Sequence, residues 1–78
     1  MPTVLREQGL RFFFFSNERQ EAPHVHVEAG EDHAKFWLDP VALAQSSGFK
    51  APVLRQARLL VMQHRDEFRK RWHEHFRT

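Results

Sequence analysis

The chain opens on short apolar stretches broken by polar turns and closes on one long stretch with helical spacing. Thr3 to Arg6 reads as a first strand, and Glu7-Gln8-Gly9 as a turn into a second strand from Leu10 to Ser16, the pair forming a hairpin. The polar segment Ser16 to Glu21 leads to Pro23, after which His24 to Glu28 reads as a third strand. Ala29-Gly30-Glu31-Asp32 is the next turn. His33 to Leu38 follows as a fourth strand, with Ala34, Phe36 and Leu38 on one face and His33, Lys35 and Trp37 on the other. Asp39-Pro40 has the form of a helix start, Asp39 as N-cap and Pro40 at the first helical position, so a short helix is predicted over Val41 to Gln45, ending near Ser46-Ser47-Gly48. From Lys50-Ala51-Pro52 onward, Leu54, Ala57, Val61, His64, Phe68, Trp72 and His75 or Phe76 recur at steps of three or four, which predicts one long amphipathic helix. The expected fold is a single α+β domain over residues 1–78: a small, mostly antiparallel sheet of three to four strands packed against a long C-terminal helix, with a short helix between.

Phe12 to Phe15 do not fit a strand with one wet face, which should alternate apolar and polar residues. If Phe12 and Phe14 point one way, Phe13 and Phe15 point the other, and both faces need cover. The long helix supplies one. For the other the expectation is a homodimer or a small partner protein, set against packing beneath the Val41–Leu43 segment and the loops.

With 78 residues the chain builds one core of modest stability, and the absence of cysteine removes disulfides, thiolate metal sites and a cysteine nucleophile. A reducing, cytoplasmic setting fits that composition. The longest apolar run falls far short of the ~20 residues of a membrane helix, and the N-terminus lacks a signal-peptide core, so a soluble, unprocessed protein with no membrane partner is expected. The formal charge of +2 conceals an asymmetry. Residues 1–49 carry four basic and seven acidic side chains, and residues 50–78 eight basic and three acidic. Arg58, Arg65 and Arg69, seven and four apart, lie near one helix face that could follow a phosphate backbone, although Asp66 and Glu67 interrupt the run. Trp37 and Trp72 are the side chains that could stack on bases.

The densest chemistry lies in Pro23-His24-Val25-His26-Val27. Strand alternation sends the valines to one face and both imidazoles to the other, about 6.5–7 Å apart at their Cα atoms, close enough to share one metal ion, phosphate or proton-transfer site. Two histidines alone complete neither a structural nor a catalytic zinc site. His64, on the apolar stripe between Val61 and Phe68, is the helix residue best placed to join them, which makes His24, His26 and His64 the candidate metal ligands. His64 and His75 are about 16 Å apart along a helix, so at most one of them takes part. If His24, His26 and one of His64, His73 or Glu74 converge, a three-ligand metal site or metal-free acid/base work on a phosphodiester becomes available, with Arg65, Arg69 or Lys35 to stabilise developing negative charge. No cofactor is specified by any motif.

Met1 to Arg6, Arg11 to Glu18, Pro23 to Val27, Ala34 to Val41 and the late Trp72-His73-Glu74 together resemble the small bacterial and archaeal domain-of-unknown-function family 4160, in its order and at its lengths. Ala22 departs from the second proline expected before Pro23 in that family. The resemblance brings no established activity. It implies a component of a two-gene module of toxin–antitoxin type, acting through protein–protein contact and through RNA or DNA, and it carries the family's motifs onto His24, His26, Trp72, His73 and Glu74. The alternative expectation is a histidine- or metal-dependent phosphodiesterase or ribonuclease-like enzyme with His24 and His26 as catalytic residues. In the binding reading, Arg58, Arg65, Arg69, Trp72, His73, Glu74 and Lys35 meet the partner.

Overall fold

The computed structural model describes residues 3–77 and shows five strands followed by two helices. The strands are β1 (Thr3–Glu7), β2 (Leu10–Phe13), β3 (His24–Ala29), β4 (Asp32–Leu38) and β5 (Val41–Ser47), and the helices α1 (Ala51–Gln63) and α2 (Arg65–Phe76). They form one antiparallel meander, each strand hydrogen-bonded to the next in chain order. Of the N-terminal motif, Met1 and Pro2 lie outside the described residues.

Two expectations are corrected. The sheet has five strands where three to four were expected, because the segment predicted as a short helix is β5. Asp39 and Pro40, joined by a cis peptide bond, form the turn that returns the chain antiparallel to β4, with Leu38 opposite Val41. Local propensity over Val41-Ala42-Leu43-Ala44-Gln45 does not exclude a helix, but the open edge of β4 needs backbone partners and β5 supplies them. The expected single long helix is also two. The helix is interrupted at His64, which ends α1 and begins α2: its backbone (φ −105°, ψ 12°) leaves the helical conformation, although its N–H still bonds to the Leu60 carbonyl and its own carbonyl to the Phe68 N–H. A straight helix from Ala51 to Phe76 would be about 39 Å long at roughly 1.5 Å per residue, whereas the longest extent of the molecule is 34 Å. The interruption keeps both halves over the sheet.

One face of the sheet meets the helices. Phe12, Val27 and Ala34 stand in one cross-strand row and Val25 and Phe36 in the next, packed against Ala57, Leu60 and Val61 of α1 and Phe68, Trp72 and Phe76 of α2. Phe14, just past β2, joins this core with its ring edge-on to Trp72. The other face carries Arg11 and Phe13 from β2, His24, His26 and Glu28 from β3, and His33, Lys35 and Trp37 from β4. Phe13 is nonetheless only 4% exposed, because the Arg11 guanidinium lies 4.4 Å from its ring centroid and the Phe15 and His26 rings pack at 5.2 and 5.5 Å. Of the second apolar face that motivates a homodimer or partner, Phe13 is thus covered within one chain, while Phe15 stays half-buried. Both edge strands, β1 and β5, are irregular in register, a feature that blunts a sheet edge against pairing with other chains.

Two turns depend on glycine. Gln8 and Gly9, both at positive φ, make the two-residue turn between β1 and β2, the geometry whose twist suits a hairpin. Gly48, at φ +93°, lets the chain leaving β5 pass against Asp32; a Cβ there would fall 2.1 Å from Asp32 Oδ1.

Candidate functional site

The polar segment between β2 and β3 folds back over the histidine face. Glu18 N–H donates to the Phe15 carbonyl and Glu21 N–H to the Glu18 carbonyl, while Leu38 N–H holds the Pro23 carbonyl, so the segment is tied at both ends. This places the Glu18 carboxylate above the start of β3. Its Oε1 lies 2.8 Å from His24 Nε2 and 2.6 Å from His26 Nε2. The three ligand atoms are within 4.8 Å of one another.

Exposure rises across the cluster from a His24 side chain at 0% to His26 at 11% and Glu18 at 20%. His24 is wedged between the rings of Trp72, at 4.8 Å, and Trp37, at 5.6 Å, and its Nδ1 lies 2.9 Å from the Ala22 carbonyl oxygen. His26 packs edge-on to Phe15 at 4.5 Å. His26 and Glu18 line the wall of an open pocket of about 430 Å³ together with Phe13, Phe15, Glu28, His33 and Gln45.

Burial is the chief influence on His26 and pushes its imidazole below the ordinary value of 6.5, against the opposing pull of Glu18. For Glu18 burial is the largest single influence and works upward, but the hydrogen bonds and charge of the two histidines outweigh it and hold the carboxyl below 4.5. The two directions agree on an ionised carboxylate accepting from a neutral His26.

The cations nearby are already engaged. Lys35, cross-strand from His26, pairs with Glu21 at 2.5 Å and lies over the Trp37 ring, and Arg11 pairs with Glu28 at 2.5 Å. Glu18 is left with the two imidazoles as its ion-pair partners among the described residues.

His24, His26 and Lys35 therefore share one neighbourhood, and the other residues singled out in the sequence lie elsewhere. His64 is half-buried at the helix break, stacked on Phe68 and 3.9 Å from Glu7, so the third group beside the histidine pair is Glu18 and not His64. The helices cover the valine face of β3, and the stripe carrying His64 meets the imidazoles through Trp72 beneath His24 and not through His64. Trp72 is 2% exposed in the core and offers no ring face to a base; it touches the site only as packing beneath His24. His73 and Glu74 are exposed on α2, and Glu74 borders a shallow groove with Val4, Phe14, Arg71 and His75. Arg65 donates from Nε to the Leu38 carbonyl and from Nη2 to Asp39 Oδ1, each at 2.9 Å. Arg69 approaches the other Asp39 oxygen at 3.7 Å, and Arg58 lines a cleft with Asp39, Pro40 and Met62. Two of these three arginines thus hold the β4–β5 turn against the helices.

Glu18 escaped the sequence reading because Glu18 and Glu21 sit in the same polar loop, and only the path of that loop decides which carboxylate faces the histidines and which faces Lys35.

The family model described as Domain of unknown function (DUF4160) matches residues 9–73. The chain belongs to that family. No curated protein and no solved structure matches it. The DUF4160 match spans Glu18, His24, His26 and their pocket, and so takes in the whole cluster.

Proposed function

We propose that this DUF4160 protein is a small hydrolytic enzyme whose catalytic centre is the Glu18–His24–His26 cluster, with a phosphodiester as its substrate class. The observation that carries this reading is the convergence of two imidazole nitrogens on one carboxylate oxygen at the wall of an open pocket. A carboxylate that orients an imidazole beside a cavity is the arrangement general acid–base catalysis requires. His26 is the proton-handling group, since it lines the pocket; His24, fully enclosed, fixes the carboxylate from behind. Lys35, cross-strand from His26 on the same sheet face, stabilises negative charge developing on the phosphoryl oxygens by exchanging Glu21 for substrate. No helix among the described residues is long and apolar enough to cross a membrane, and the reading needs none.

The two-gene module of toxin–antitoxin type, the cytoplasmic setting and nucleic-acid contact by Arg58, Arg65 and Arg69 rest on sequence alone, and no feature of the fold adds to them. The histidine-centred reading is preferred for that reason. The test is hydrolysis of bis(p-nitrophenyl) phosphate and of single-stranded RNA by the purified chain, with and without added divalent metal. Turnover that falls by a hundredfold or more in His26→Ala, and in Lys35→Gln by a smaller factor, supports it. Turnover unchanged in His26→Ala, or absent under every metal condition, removes it.

A further inference from the structure

The hydrogen bonds of His24 do not balance for a neutral ring. Its Nδ1 faces a backbone carbonyl oxygen, which can only accept, and its Nε2 faces a carboxylate oxygen of Glu18. A neutral imidazole has one N–H. When that proton serves Ala22, the Nε2 lone pair points at a carboxylate lone pair 2.8 Å away, and a positive centre has to stand between them. His26 Nε2 points to the same oxygen from a second direction.

We propose, resting on the catalytic reading of this cluster, that the positive centre is a divalent transition-metal ion of the zinc class, ligated by His24 Nε2, His26 Nε2 and a Glu18 carboxylate oxygen. The donation of Nδ1–H to a backbone carbonyl is the outer contact that commonly fixes a metal-binding histidine to its Nε2 tautomer. Two imidazoles and one carboxylate, with no thiolate in the chain, suit zinc, iron or cobalt better than calcium or magnesium, which favour all-oxygen sites. A site with three protein ligands is of the open, catalytic kind. Ligand bonds of roughly 2.0–2.2 Å require donor atoms about 3–3.5 Å apart, so an ion enters by opening the Glu18 contacts by less than about 1 Å and by drawing together the two imidazole nitrogens, which lie within 4.8 Å of one another. Glu18 sits on a loop that can make the first adjustment, and the His26 ring, at the pocket wall, makes the second. Lys35 and Arg11 are each paired with another carboxylate, so among the described residues no Lys or Arg side chain competes for Glu18. The remaining coordination positions would be reached from the pocket that His26 and Glu18 line. With His26 Nε2 on the ion, a metal-bound water would take over the proton handling assigned to the free ring and supply the activated nucleophile that hydrolysis of a phosphodiester needs.

The experiment is titration of chelator-stripped protein with Zn²⁺ by calorimetry and with Co²⁺ by visible absorption, alongside thermal melts. One equivalent of each ion is expected, with a rise in Tm from Zn²⁺ and none from Mg²⁺. Glu18→Gln and His26→Gln, both shaped like the native residue and neither enclosed like His24, should lower Zn²⁺ affinity a hundredfold or more while keeping the native circular dichroism. His64→Gln should leave it unchanged. Binding weaker than micromolar, binding undiminished in Glu18→Gln and His26→Gln, or binding lost in His64→Gln overturns the site. Stoichiometric Zn²⁺ without hydrolysis supports the site and removes the hydrolase reading, and hydrolysis that survives chelation with no bound Zn²⁺ does the reverse.

Discussion

His24 Nδ1 stands 2.9 Å from the carbonyl oxygen of Ala22, two residues before it, so the ring is pinned from the loop side as it is clamped from the core side by Trp72. This double constraint separates it from His26, whose neighbour on the same face is the partly exposed Phe15. His24→Ala should therefore cost about 2–4 kcal/mol, combining an unfilled space against two tryptophans with the loss of the ring's contacts to the Ala22 carbonyl and Glu18. His26→Ala should cost about 1 kcal/mol. Urea unfolding at equal m-values measures both, and a His24→Ala protein as stable as the parent would mean that the ring is dispensable to the fold.

The strand alternation of His24-Val25-His26-Val27 was legible because it depends only on the period of an extended backbone, and the structure puts the valines in the core and the imidazoles opposite. The long apolar stripe was legible too: Ala57, Val61, Phe68, Trp72 and Phe76 are all core residues. What failed were features set by distant partners. The residues from Val41 to Gln45 become a strand because β4 has an open edge, and the helix stops at His64 with neither Pro nor Gly to announce it. The cover that Arg11, Phe15 and His26 give Phe13 was not legible either, because it comes from the same sheet face and the loop entry, which no periodicity encodes.

Metal-free protein should lose stability toward acid in two separable steps. Both His26 and Glu18 are held below their ordinary values of 6.5 and 4.5, so between folded and unfolded values the unfolded chain binds more protons and stability falls as pH falls. The His26 contribution is complete above 6.5 and is lost as pH drops through its folded value; the Glu18 contribution is complete above 4.5 and is lost below that. Urea midpoints in excess chelator from pH 8 to pH 3 should show His26→Gln removing the upper step and Glu18→Gln the lower. A parent protein that gains stability between pH 7 and pH 5 relative to His26→Gln would contradict the sign.

Phe13 and Phe15 should respond differently to charge. Phe13, only 4% exposed although it faces away from the helices, should lose about 3 kcal/mol or more as Phe13→Asp, since a carboxylate would replace a ring packed on Phe15 and His26 and the neighbouring Arg11 is already paired with Glu28. Phe15, more open at the pocket rim, should tolerate Phe15→Asp with a loss of about 1 kcal/mol. Denaturant unfolding gives the two values, and sedimentation of the parent gives the mass of the unit that unfolds. If Phe13→Asp folds with undiminished stability, its burial within one chain does not govern this face.

Arg65 connects both departures from the sequence expectation, because the first residue of α2 donates to the Leu38 carbonyl at the end of β4 and to Asp39 in the turn that starts β5. The planar guanidinium reaches both acceptors at once, which a single ammonium on a flexible stem does not reproduce. Arg65→Lys should therefore lose about 1 kcal/mol and Arg65→Met about 1–2 kcal/mol, the larger loss reflecting a main-chain acceptor left without its donor. Hydrogen exchange provides the sharper readout. Amides of β5 and of the first turn of α2 should exchange faster together in Arg65→Met, while those of β2 and β3 keep their protection. Faster exchange in α2 alone would show that the turn and the helix break are held independently.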